Sequence, residues 1–296
     1  MNSASVIVDG FTFTEGIRWH ADRVWFSDLY NKRVLSMFED GSDLTVEAEL
    51  GGIPVGLGFL PNGDLLISEQ DTRRLSRRTS QGEVVLHADL SGIAVSRTND
   101  LAVDADGTAY VGCFGFDLLE GAPYGPGRLM KVSPTGDVTT VGEPMAFPNG
   151  CFITDDRRFI VAESMGNRIS EYRIEDGGNL TSRRDWASFG PFPTAADMDQ
   201  RYAEMVVAAD GISPFDAEGA IWVADFTKRY AIRVMPGGKI VDKVATGDLN
   251  CYAACLGGID GRTLFLCATP AEMDPQLRKD QPEGTIQSFR VQVPRA

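Results

Sequence analysis

Glu15, Asn99, Asn149 and Asp210 are the residues whose types and spacing can do chemistry in this chain. Each stands at the head of a similar stretch. EGIRWHADRVWFSD begins at Glu15, NDLAVDADGTAYVGC at Asn99, NGCFITDDRRFIVAE at Asn149 and DGISPFDAEGAIWVAD at Asp210. Two further copies, VGLGFLPNGDLLISE from Val55 and the looser AACLGGIDGRTLFLCA from Ala253, carry no charge at that position. Brought together, two carboxylates repel, so either one takes up a proton or a cation sits between them. Glu15, Asp210 and one Asn make an oxygen-rich site of net charge about −2, suited to a divalent cation with positions left for water or substrate. Oxygen donors favour Ca²⁺, Mg²⁺ or Mn²⁺ over zinc or ferrous iron. A plainer alternative exists, since Asn149-Gly150 and Asp210-Gly211 are also turn dipeptides. Glu15 is no turn residue and shares the same repeat position.

The elements that must position these residues follow from the repeat. Each copy has a small or polar opening, an alternating strand, a tight turn and a second apolar strand. PNG, DADG, DAEG and IDG supply the turn chemistry. Weaker strands follow, such as KRVLSMF, GRLMKVS and NRISEYRI, and then a fourth. Four strands per unit at a spacing of roughly 40–50 residues match a propeller blade. A β-sandwich does not repeat in four-strand units. The fold class expected is all-β, a six-bladed β-propeller spanning residues 1–296 as one domain. VIVDGFTF precedes the first unit and the last unit lacks an outer strand, so the N-terminal strand is expected to close the last blade and remove a free edge. The first strand of each blade lines the central channel, so the strand heads form a ring. Two longer segments, 113–127 and 187–208, interrupt the pattern and are read as rims over one face.

Composition narrows the partners. The chain has 296 residues, 43% hydrophobic and 24% charged, with a net charge of −14. That excess of acid disfavours nucleic acid and anionic membrane, which need a basic face. No apolar run reaches the ~20 residues of a membrane span. The N-terminus lacks a signal-peptide pattern, so a cytoplasmic protein is expected, a monomer or weak homo-oligomer. Five cysteines without paired spacing suit reduced thiols. With two histidines, His20 in a turn and His87 near an outer strand, a Ser-His-Asp arrangement is disfavoured, and no nucleophile elbow, phosphate loop or dinucleotide fingerprint is present. Trp19, Trp25, Trp186 and Trp222 are expected to pack between blades.

At these residues the chain resembles the SMP-30/gluconolactonase/LRE-like six-bladed propellers. The matches are E-G-x-x-W at Glu15–Trp19, WFSD at Trp25–Asp28, R-x-N-D at Arg97–Asp100, F-P-N-G at Phe147–Gly150, VAESMGNR at Val161–Arg168, D-G-I at Asp210–Ile212, DAEGAIWVAD at Asp216–Asp225 and LGGIDGRTLF at Leu256–Phe265. The resemblance implies that Glu15, Asn149 and Asp210 bind one divalent cation, calcium first among Zn, Mn, Mg and Fe(II). It implies that Arg97 and Asn99 contact a small-molecule lactone or ester substrate. The reaction implied is hydrolysis of a sugar-acid or related lactone, with a metal-polarised carbonyl, metal-activated water and Asp210 in the catalytic role. An esterase or phosphotriesterase on the same cation, and a non-catalytic calcium-binding propeller, are the alternatives. Cys113, Phe114, Phe116 and Tyr124, in or beside the first long segment, are candidates to line the pocket. That segment and CYAACLGG in the last blade depart from the sugar-lactonase pattern.

Overall fold

A computed structural model describes residues 2–296. Alternating apolar positions give strands with one or both faces buried, and these assemble into six sheets arranged as the blades of a β-propeller. The innermost strands are Thr14–His20, Pro54–Phe59, Thr98–Val103, Pro148–Ile153, Ala209–Ile212 and Asn250–Gly257. Each sheet has four strands, except that the short strand Asn2–Ser3 joins the fifth blade parallel to Ile240–Ala245. Two helices interrupt this pattern, Met198–Glu204 and Pro275–Asp280. No helix among the described residues is long and apolar enough to cross a membrane.

The chain divides into two compact units. One comprises the chain up to Pro54 together with Asp210–Ala296, and the other Val55–Ala209. In the first unit, Ser5–Phe11 runs antiparallel to Gly284–Arg290 and completes the last blade. The expected closure by the N-terminal strand is therefore present. Phe11 ends that strand and sets its ring edge-on to Phe26 of the first blade at 5.0 Å. Around it lie Ile17, Leu35, Phe265 and Ile286, so this core fills the gap between the last and first blades. A second core in the same unit joins the fifth and sixth blades through Trp222, Ala254, Leu256 and Leu266. The second unit repeats the arrangement. Leu66 and Leu75 pack on Leu101, Val111 and Met130, and Tyr110 packs on Phe159.

The turns obey the expected chemistry. Gly107 and Gly219 have φ of 87° and 77°, and their amides bond back to Asp104 and Asp216. Asn149-Gly150 and Asp210-Gly211 are not turns, because both dipeptides lie inside innermost strands. Gly211 is needed for another reason. A Cβ there would stand 2.6 Å from the Cα of Ala253, so the fifth and sixth blades' inner strands touch backbone to backbone.

At the blade corners a buried carboxylate ends the second strand. Asp28 accepts from the Thr12 amide at 2.9 Å and hydroxyl, from Asn31 at 2.9 Å and from Arg33 at 3.0 Å. Glu163 accepts from the Ala146 amide, Arg168, Ser170 and Arg183. Such fully satisfied groups hold the loop between blades in one geometry.

Two outcomes follow. Phe11→Ala should remove about 3–5 kcal/mol of stability by urea unfolding; a loss under about 1 kcal/mol would mean that the N-terminal strand does not carry closure. Gly211→Ala should cost roughly 1–3 kcal/mol through overpacking on Ala253, and an unchanged unfolding midpoint would contradict the close approach.

Candidate functional site

Four of the innermost strands break their ladders near their heads. In the first blade Glu15 faces Ser27 and Arg18 faces Trp25, so Gly16 and Ile17 oppose one residue. Gly16 takes φ of 61° to make this possible. In the third blade Asn99 and Asp100 fall between the pairs Thr98–Cys113 and Leu101–Val111. In the fourth, Asn149 and Gly150 fall between Pro148–Glu163 and Cys151–Val161. In the sixth, Tyr252 falls between Cys251–Ala268 and Ala253–Cys267. A bulge takes a residue out of strict alternation and re-aims its side chain. The candidate residues of three blades thus sit at or beside bulges. The sixth blade's counterpart is Tyr252, one residue before the Ala253 that the repeat suggested.

In the first unit Glu15 and Asp210 are buried, 7% and 5% exposed. The Glu15 carboxylate accepts from the Gly16 amide at 2.7 Å. Both carboxylates act on the same two neighbours. Burial first, then Asp210, Asp225 and Glu15, push the Cys251 thiol well above its ordinary range. Burial first, then Asp210 and Glu15, push the Tyr252 phenol up. A thiol so raised is no nucleophile at neutral pH. Neither Cys251 nor Tyr252 stands at the repeat position in the sequence, although CYAAC carries a one-residue shift of the repeat.

In the second unit Asn99 and Asn149 lie on neighbouring inner strands, 4% and 8% exposed. The Asn99 amide nitrogen donates to the Pro148 carbonyl at 3.2 Å. That of Asn149 donates to Ser164 Oγ at 3.1 Å, and Ser164 Oγ donates to the Ala209 carbonyl at 2.7 Å. With each NH₂ group engaged, the Oδ1 of each Asn is the end left to accept, and neither takes a hydrogen bond from another described residue. The two buried carboxylates of the first unit and the oriented amide oxygen of the second are each hard oxygen donors, of the kind that calcium or magnesium takes. Among the described residues no group of three or more His, Cys, Asp or Glu side chains converges as a metal cluster.

Arg97 precedes the third blade's inner strand. Its Nε lies 4.0 Å from Asp117 Oδ1, and no hydrogen bond engages its guanidinium among the described residues. The Arg97 carbonyl accepts from the Phe114 amide at 3.0 Å. The other candidates on this segment are placed differently. Cys113 is fully buried in the core between the second and third blades. Phe114 stacks on Phe147 with centroids 4.2 Å apart, and Phe116 meets both Phe147 and Tyr124. These rings bind their own segment to the strand that carries Asn149. His20 and His87 are both held below the ordinary histidine range, by burial first in each case, and neither stands at a strand head.

The chain is 22% identical over 206 residues to a 6-deoxy-6-sulfogluconolactonase of Pseudomonas putida, covering 69% of this chain and 65% of that protein. It thus spans just under two thirds of that relative. It is 24% identical over 270 residues to pentonolactonase XacC of Haloferax volcanii, covering 88% and 82%. Among solved structures, the calcium-binding protein regucalcin of Agrobacterium tumefaciens superimposes with a TM-score of 0.77 at 18% identity, over 100% of this chain and 96% of that one, a likeness of fold. Residues 13–269 match the description "SMP-30/Gluconolactonase/LRE-like region", and the chain belongs to that family.

Proposed function

We propose that this chain, working as one domain over residues 1–296 in the cytoplasm, is a divalent-cation-dependent hydrolase that opens a small lactone ring. Glu15, Asn149 and Asp210 hold the cation, with calcium the first choice for an all-oxygen donor set. The observation that carries the reading is the orientation of Asn149. Its NH₂ is spent on Ser164, which leaves a neutral oxygen to face a cation at the repeat position shared with two buried carboxylates. Family membership supports it, as do the names of two relatives, a sulfogluconolactonase and a pentonolactonase.

When bound, the cation supplies Lewis-acid polarisation of the ring carbonyl and charge stabilisation of the oxyanion. The chain's own residues do the rest. Asp210 accepts a proton from the attacking water as its oxygen bonds to the carbonyl carbon. The ring C–O bond then breaks and the alkoxide takes that proton, giving a hydroxy acid. Asn99 presents Oδ1 to a substrate hydroxyl, because its nitrogen is bound to Pro148. Arg97 offers a guanidinium with unused donors for a carbonyl or carboxylate of the substrate.

Asp210→Ala should abolish both calcium binding by calorimetry and turnover across a panel of sugar lactones, aryl esters and phosphotriesters; retained lactone turnover would exclude this mechanism. A wild type that binds calcium yet turns over nothing in the panel would favour a binding propeller instead. Ser164→Ala frees the Asn149 amide and should weaken calcium binding about 10–100-fold, as loss of an orienting partner does elsewhere. Unchanged affinity would remove Asn149 from the ligand set.

A further inference from the structure

Two insertions leave the second unit from the end where Asn99 and Asn149 sit. Residues 114–126 begin after Cys113, which pairs with Thr98. Residues 189–208 begin after Ser188, which lies in one row with Arg168, Glu163 and Pro148 across the fourth blade. Nothing in the hydrolase reading gives these insertions a role. One side chain joins them.

Arg201, on the helix Met198–Glu204, is 1% exposed. Among the described residues no carboxylate lies within ion-pair reach of it, and its Nε has no hydrogen-bond partner. A buried guanidinium with no carboxylate in contact is costly and persists where carbonyls and π-faces compensate. Here Nη1 donates to the Ala195 carbonyl at 2.9 Å and Nη2 to the Met165 carbonyl at 2.8 Å. The guanidinium carbon stands 3.4 Å from the Tyr124 ring centroid, so the first insertion lies against a residue of the second. The Tyr124 amide completes the link by donating to the Ala196 carbonyl at 2.9 Å. Met165 directly follows Ser164, the residue that orients Asn149.

We propose that Arg201 is a positioning residue that clamps both insertions to the backbone beside Ser164, making them one roof at the Asn99–Asn149 end under which substrate is held. The clamp is a property of the fold; its effect on substrate rests on the hydrolase reading. The test uses full-length, calcium-loaded protein and two variants, Arg201→Gln and Tyr124→Leu. Hydrogen exchange at the Tyr124 amide should quicken about tenfold or more in both, because its bond to Ala196 opens when the clamp is lost. KM for the lactone should rise about tenfold with kcat within about twofold, the pattern of lost binding common to ground and transition states. Arg201→Lys should not rescue either, since an ammonium lacks the planar fork and stacking face. Unchanged protection of the Tyr124 amide overturns the proposal, as does a fall in kcat at constant KM. If Arg201→Gln does not fold, Tyr124→Leu alone decides. If the wild type opens no lactone, the hydrolase reading fails while the exchange result still decides the clamp.

Discussion

Two buried carboxylates, Glu15 and Asp210, act on one thiol and one phenol, and this shared neighbourhood is the constraint on which the rest depends. Like charges taken out of water together are unfavourable, and the remedy decides what such a place becomes. A divalent cation is the proposed remedy. The ladder breaks near the heads of these strands, which frees Glu15, Asn99, Asn149 and Tyr252 from the alternation that would otherwise fix their sides.

Other buried carboxylates in the same blades have a structural role. Asp28 and Glu163 are as buried as Glu15, yet arginines, hydroxyls and backbone amides saturate them. Burial pushes the Glu163 carboxyl up, but Arg168 and Arg183 outweigh it and hold the group below the ordinary glutamate range. A carboxylate ringed by guanidinium groups locks a corner.

The insertions show how a rigid repeat acquires particular features. Aromatic packing on Phe147 and hydrogen bonds to Ser96 and Arg97 fasten the first insertion along the third and fourth blades. Asn167 fastens the second by accepting from Val206 and donating to Pro191 and Glu204. Cys113, Phe114 and Phe116 are consumed in this anchoring and in the core, while Arg97 keeps its guanidinium donors unengaged.

The sequence by itself determined the repeat, the six blades, closure by the N-terminal strand and the four polar strand heads. Those are periodic or local features: alternation sets buried faces, Gly and Asp set turns, and a missing strand at one end matches a spare one at the other. The tertiary structure decided what depends on register and on neighbours distant in sequence. Asp210-Gly211 has the composition of a turn, yet it lies in a strand, and the glycine is required there because Ala253 leaves no room for a Cβ. Tyr252 replaces Ala253 at the sixth head because a single extra residue shifts the ladder. Arg201 lies on a short helix, and the approach of Tyr124 and the Met165 carbonyl buries it. Contacts of that kind leave no periodic trace, since each joins segments whose separation along the chain the repeat does not set.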